Sequence, residues 1–243
     1  MDIFQEAKNL INNSQNIYIF SSEEREESIT SALALFYTLK DLNKNVNLTL
    51  EKVPSRLKFL IPSLDHITYP KNLSISIPKA SAEISQIRYE KNEDNLKFYL
   101  TVDKGNIKKS DVSFCFTELK LDLIITVGLK DLGEIKNSNS FNNAVLSDLT
   151  ILNIDNQKEN LNFGRINLLK DNESLSELTF NFIKSISENL VKKEVATILL
   201  AGIIIASDNF KSDNTSPQLL EASASLIKKG GNHQEIISNL CKN

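Results

Sequence analysis

Three short runs of apolar, β-prone residues constrain this chain most: Asn16–Phe20 (NIYIF), Leu121–Gly128 (LDLIITVG) and Leu149–Asp155 (LTILNID). None alternates apolar with polar residues, as a strand with one wet face would. Each therefore reads as a strand covered on both faces, the setting of a parallel sheet. After the first run and the polar stretch SSEERE, residues Ile29, Ala32, Leu33, Phe36 and Leu39 share one helical face. Glutamates in that helix's first turn suit the positive end of the dipole. NVNLTL (residues 45–50) follows as a second strand, completing a strand–helix–strand unit of the right-handed kind.

Further helices bracket this core. Residues 2–12 form a short amphipathic helix at the start. Near the end, Ser174 with Glu177 makes a capping box, and Leu175, Leu178, Phe182, Ile186 and Leu190 form the stripe of a helix running to about residue 190. Val195–Ala206 (VATILLAGIIIA) is too short to span a bilayer and reads as a buried helix. Ser216 as N-cap, Pro217 at the first helical position and Gly230 beyond the end bracket another. A last short helix runs from about His233 to Leu240.

Between residues 72 and 116 the period changes. LSISI, EISQIRYE and LKFYLTV alternate, with the polar turn KNEDN between the last two, so this segment predicts antiparallel strands with one wet face. Its apolar face would carry Ile75, Ile77, Ile84, Ile87, Tyr89, Leu96, Phe98 and Leu100; its wet face Arg88, Glu90 and Lys97. A lone hairpin is marginal in water, so that face is expected to pack within the chain, with self-association through the insert as the alternative. The expected architecture is one α/β domain, residues 1–243: a parallel sheet flanked by helices, with an antiparallel β insert at about 72–116.

Composition narrows the function. The net charge of −3 gives no strong nucleic-acid signal. The N-terminus lacks the order of a signal peptide, and Cys115 and Cys241 are too few for a disulfide framework, which points to a reducing cytoplasm and no membrane. The only histidines, His66 and His233, lie at no strand terminus and read as surface residues, so a histidine-based metal site is not expected.

Four further segments stand out in order: the loop and helix start ending in SALAL, LDLIITVGLKDLG, NIDNQKENLNFGRIN, and LLAGIIIASDNFKSDNTSPQLLEASASLIKKGG. Together they resemble the motifs of the DHH (or DDH) phosphoesterases, the family of RecJ-type exonucleases, oligoribonuclease/phosphoadenosine-phosphate phosphatases and cyclic-dinucleotide phosphodiesterases. The resemblance implies a di-manganese centre held by histidine and aspartate, with a bridging hydroxide as nucleophile. At the matching positions this chain has Ser21, Arg25 and Glu27 in the first motif and Gly128 in the second. In the third, Asp155 and Asn160 match, while Asn156 and Gln157 stand where histidines would; in the fourth, Ala206 replaces an aspartate. Glu27 and Asp155 alone keep negative charge, too little for two divalent ions, and a guanidinium at Arg25 repels cations. No metal, and none of the family's manganese, is expected.

Asp155 reads equally as a surviving functional carboxylate or as a strand-end residue ordering the next loop. Glu23, Glu24, Glu26 and Glu27 read as a solvated first turn, and Lys192 and Lys193 as solvated helix-edge residues. A metal-free nucleotide or phosphate site would use Ser22, Arg25, Ser31 and Asn160, beside a helix N-terminus. Phe163 and Gly164 match the third motif but also suit a simple turn. The resembled exonucleases carry a C-terminal substrate-binding domain; KKGGNHQE is a helix end rather than a Gly-rich cradle, so that domain is expected to be lacking. The leading expectation is a non-catalytic binding or scaffolding homologue. The alternatives are an active phosphoesterase with an altered or partner-completed metal set, and a structural subunit of an oligomer.

Overall fold

The computed structural model of the protein describes residues 2–22, 24–50, 52–61, 71–92, 95–118, 121–136, 150–213 and 215–240. Glu23, His66 and Cys241 lie outside the described residues. The chain divides into two compact units, residues 1–69 with 120–243, and residues 70–119.

The first unit is built on a five-stranded sheet, all of whose pairings are parallel. Its strands are β1 (Asn16–Ser21), β2 (Asn45–Thr49), β7 (Leu123–Val127), β8 (Thr150–Asp155) and β9 (Ile166–Leu169), in the order β2-β1-β7-β8-β9. The register places Ser21 beside Val127 and Val127 beside Ile154, so the carboxyl ends of β1, β7 and β8 lie level. Strand order reverses at β1, and open parallel sheets form their crevice at the carboxyl edge of such a switch point.

The apolar runs divide between two faces as the strand period dictates. Ile17, Ile19, Leu123, Ile125, Leu152 and Ile154 join the large core with the helices, while Tyr18, Phe20, Ile124 and Ile151 form a smaller cluster with Leu129 on the other face. Helices α1 (Ile3–Asn13), α2 (Glu26–Asp41), α4 (Leu175–Ile186), α5 (Lys193–Ala206), α6 (Pro217–Lys228) and α7 (His233–Leu240) contribute to the large core. The short α3 (Gly133–Lys136) follows β7. α2 and α5 are both buried over most of their circumference, α5 with apolar side chains and α2 with Ser28, Thr30, Ser31 and Thr38 among its apolar ones. They approach α4 closely at Gly202, where a Cβ would lie 2.0 Å from Ser176 Oγ and 2.4 Å from Thr30 Oγ1.

The Ser174 cap, accepting from the Glu177 N–H, and the Ser216–Pro217 start of α6 are as expected. α4 ends at Ile186, and Glu188–Leu190 forms a separate 3₁₀ turn that still buries Leu190. β9 was not anticipated: its four residues carry too short a pattern, and its pairing with β8 creates the strand. Among the described residues no helix is long and apolar enough to cross a membrane.

The second unit is antiparallel. β3 (Lys71–Ser76) pairs with β6 (Ser113–Glu118), and β4 (Ala82–Lys91) pairs with β5 (Leu96–Gly105) in a hairpin. Register shifts near Ile84 leave Ser85 and Asp103 outside the ladder, joined by a 2.8 Å hydrogen bond. The bulge explains how Ile84 and Ile87, three positions apart, share a face.

Candidate functional site

The first-unit segments singled out by sequence meet at the carboxyl edge of the sheet. Arg25 follows β1 and is the N-cap of α2, yet its side chain makes no capping bond. It reaches to the end of β8, where Nη1 donates to Asp155 Oδ1 at 2.9 Å and, more weakly, to the Gly128 carbonyl at 3.4 Å. Its Nη2 donates to Asn156 Oδ1 at 2.5 Å. The guanidinium thus sits among three of the positions where the resemblance places metal ligands.

Asp155 is wholly buried, and donors surround its carboxylate. Oδ1 accepts from Arg25 and from the Asn156 backbone N–H at 2.8 Å; Oδ2 accepts from Asn160 Nδ2 at 2.8 Å and from Gln157 Nε2 at 3.2 Å. A buried carboxylate needs this many partners to offset lost hydration. Asp155 therefore orders its own loop, and its counter-charge is an arginine.

Gly128 takes φ of +69°, and a Cβ there would lie 1.9 Å from Ser28 Oγ and 3.1 Å from Arg25 Nη1. The volume an aspartate would need is filled by Ser28 and the guanidinium. At the remaining positions, the Ser21 hydroxyl donates to the Ser22 carbonyl, Gln157 donates to the Gly128 carbonyl at 3.2 Å as well as to Asp155, and Ala206 closes α5. Just beyond, Asp208, Asn209 and Phe210 take left-handed φ of 45°, 55° and 63°, held by Ser207, whose Oγ accepts from the Phe210 N–H.

Glu27 is buried, unlike the solvated residue expected from sequence. Its Oε1 accepts from the Ser176 N–H at 2.9 Å, so it occupies the N-terminus of α4 from within the chain. Burial pushes its pKa above the ordinary 4.5, and the Ser176 N–H, Arg25 and Ser174 only partly oppose this. The raised value means the contribution to stability is fully present below the unfolded pKa and is lost as pH rises through the folded pKa. Glu27→Gln keeps an acceptor for Ser176 and removes the buried charge. It is expected to melt above the parent at about pH 8, the gap closing toward about pH 4; a parent more stable than the variant at the higher pH would contradict this.

Of the four residues expected to hold an anion, Arg25 is engaged as described and Ser22 is buried. Ser31 is hydrogen-bonded to Ser176 across the α2–α4 contact, and Asn160 points inward to Asp155 and the Leu129 carbonyl. Of the glutamates, Glu26 pairs with Arg56. Lys192 pairs with Asp41 at 2.8 Å, and Lys193 and His233 are exposed. Phe163 packs on the smaller cluster.

A buried polar chain behind the site escaped the sequence reading. Thr126 donates to Asn153 at 3.1 Å, and Asn153 donates to Asn160 at 2.8 Å and to Asn167 at 3.0 Å. Thr126, Asn153 and Asn167 are register partners on three adjacent strands. The one available signal was an asparagine inside the apolar run of β8, where a polar residue needs a partner.

Beside the guanidinium opens a cleft of about 550 Å³, reaching from Asn156 to Ala206 and bounded by the capped starts of α4 and α6. Among the described residues Glu27, Asp171, Glu173 and Asp213 line it against one cation, Lys158. Among the described residues no group of three or more histidine, cysteine or acidic side chains is arranged to hold a metal ion. The donor set around Asp155, two amides and a guanidinium with one carboxylate, does not fit a di-manganese centre.

No family model matches the sequence, and no curated protein matches it significantly. Among solved structures, the chain is similar to an exopolyphosphatase-related protein from Bacteroides fragilis, with a TM-score of 0.68 and 16% sequence identity. The match covers 99% of this chain and 60% of that protein, so this chain spans less than two thirds of its length. At that identity the likeness is one of fold.

Proposed function

We propose that this chain is a phosphoesterase-like domain without metal-dependent hydrolysis, acting as a binding or scaffolding domain. The observation that carries the reading is the Arg25 guanidinium seated between Asp155, Asn156 and the Gly128 carbonyl. A fixed positive charge there supplies the counter-charge that Asp155 needs and repels a divalent ion. The fold likeness to an exopolyphosphatase-related protein supports the phosphoesterase-like part of the proposal.

Residual nucleotide or phosphate binding belongs to the proposal only in a weak form. The acids lining the cleft oppose an anion, and Arg25 is already committed to Asp155. Scaffolding is therefore the favoured role. In millimolar manganese the protein is expected to hydrolyse neither short oligonucleotides, phosphoadenosine phosphate nor cyclic dinucleotides, and calorimetry should find no saturable manganese site. Turnover that Asp155→Ala or Glu27→Ala abolishes would overturn the reading.

A further inference from the structure

The β4–β5 hairpin presents two chemically different faces. On one, the charges are settled internally. Arg88 stacks on the Tyr99 ring at 4.7 Å and pairs with Glu90 at 3.5 Å; Tyr99 donates to Glu90 at 3.0 Å; Glu83 pairs with Lys104 at 3.8 Å. On the other lie the register pairs Ile84–Val102, Ile87–Leu100 and Tyr89–Phe98, with Leu96 opposite Lys91 at the tip. Ile87 and Tyr89 are each 69% exposed, and Leu96 and Phe98 each 55%.

This face is large for an unpartnered surface. Aromatic side chains offer about 150–250 Å² each, so Tyr89 and Phe98 with the exposed aliphatic residues Ile87, Leu96, Leu100 and Val102 amount to roughly 500–600 Å² of bare apolar area. Patches of that size on a monomer are commonly interaction sites, and a two-stranded sheet is marginal until its apolar face is covered. Two copies of the face together reach about 1,000–1,200 Å², near the lower bound for a specific protein interface. The central Tyr89–Phe98 pair is the kind of aromatic anchor on which such interfaces concentrate their energy.

We infer that the occupant of this face is the same face of a second copy of the chain, packed head to tail. The charge distribution selects that partner and that orientation. Among the described residues no charge lies in the middle of the face to recruit an oppositely charged protein, and its one cation, Lys91, stands at the tip. In a two-fold, head-to-tail pairing the two Lys91 side chains go to opposite rims, separated by about the length of a ten-residue strand, roughly 30 Å. A head-to-head pairing would bring them together. The inference rests on the hairpin alone and is independent of the reading of the Arg25 site.

Light scattering on the full chain tests it. The expected mass is twice that of one chain at high protein concentration, and Tyr89→Lys with Phe98→Lys should return it to one. Circular dichroism checks that the variant keeps its helices. Orientation is tested with Cys115→Ser and Cys241→Ser as background. Lys91→Cys mixed with Ile84→Cys should cross-link through a short bis-maleimide, and Lys91→Cys alone should not. A parent already of single-chain mass, a paired lysine variant that stays dimeric, or efficient cross-linking by Lys91→Cys alone would overturn the proposal.

Discussion

Gly128→Asp, which places an aspartate where the resembled second motif has one, is expected to destabilise the chain by about 3 kcal/mol, a fall in Tm of about 6–12 °C. Two costs add. Aspartate tolerates the left-handed region better than most side chains, as Asp208 does here, so the backbone at φ of +69° adds only about 1 kcal/mol. The new Cβ also overlaps Ser28, at 1.9 Å from Oγ and 2.8 Å from Cβ, and forced overpacking of a buried site costs about 1–3 kcal/mol. Ser28 is wholly buried and belongs to α2, so it cannot move aside without shifting the helix. Adding Ser28→Gly removes both contacting atoms and should recover the packing cost but not the backbone cost. Thermal melts of the single and double variants decide it; a Gly128→Asp protein as stable as the parent would show that the position is not sterically closed.

Arg25→Ala is the second large effect. Its removal leaves Asp155 wholly buried without its counter-charge, and breaking a buried pair by deleting one partner costs about 3–5 kcal/mol. The Arg25 side chain is 27% exposed, and Asn160, Gln157 and the Asn156 N–H still donate to Asp155. The lower end, about 3 kcal/mol, is therefore expected. For a chain of this size that corresponds to a fall in Tm of about 6–12 °C. Asp155→Asn added to Arg25→Ala should restore part of the loss, because the stranded charge is gone. If the double variant is no better than Arg25→Ala, the pair is not the source of the effect. The same variant probes the proposed role: manganese binding gained by Arg25→Ala would mean that the arginine alone keeps the ion out.

The two outcomes bear on one another. By sequence, Gly128 and Arg25 are separate departures from the motifs that the chain resembles. In the folded chain they depend on one another, because Ser28 and the arginine project into the space that a side chain at Gly128 would take. Glu27 follows the same logic. By sequence it is one of several glutamates in a first turn; in the fold it is the carboxylate that satisfies the α4 N-terminus from inside.

Local pattern sufficed for the parallel-sheet strands β1, β2, β7 and β8, the helix caps at Ser174 and Ser216, and the antiparallel character of residues 72–116. Periods of 2 and 3.6 and capping chemistry act over a few neighbouring residues and are written in them. Three things had no local cause. β9 becomes a strand because β8 offers it an edge. The chain from Thr126 through Asn153 and Asn160 to Asp155 exists only once two strands and a loop are brought together. Arg25 turned out to be an internal counter-ion rather than a free anion receptor, because its partner Asp155 lies 130 residues away and is denied water by the fold. Burial and long-range pairing set the energy of a charged group, and neither is a property of the residues beside it in sequence.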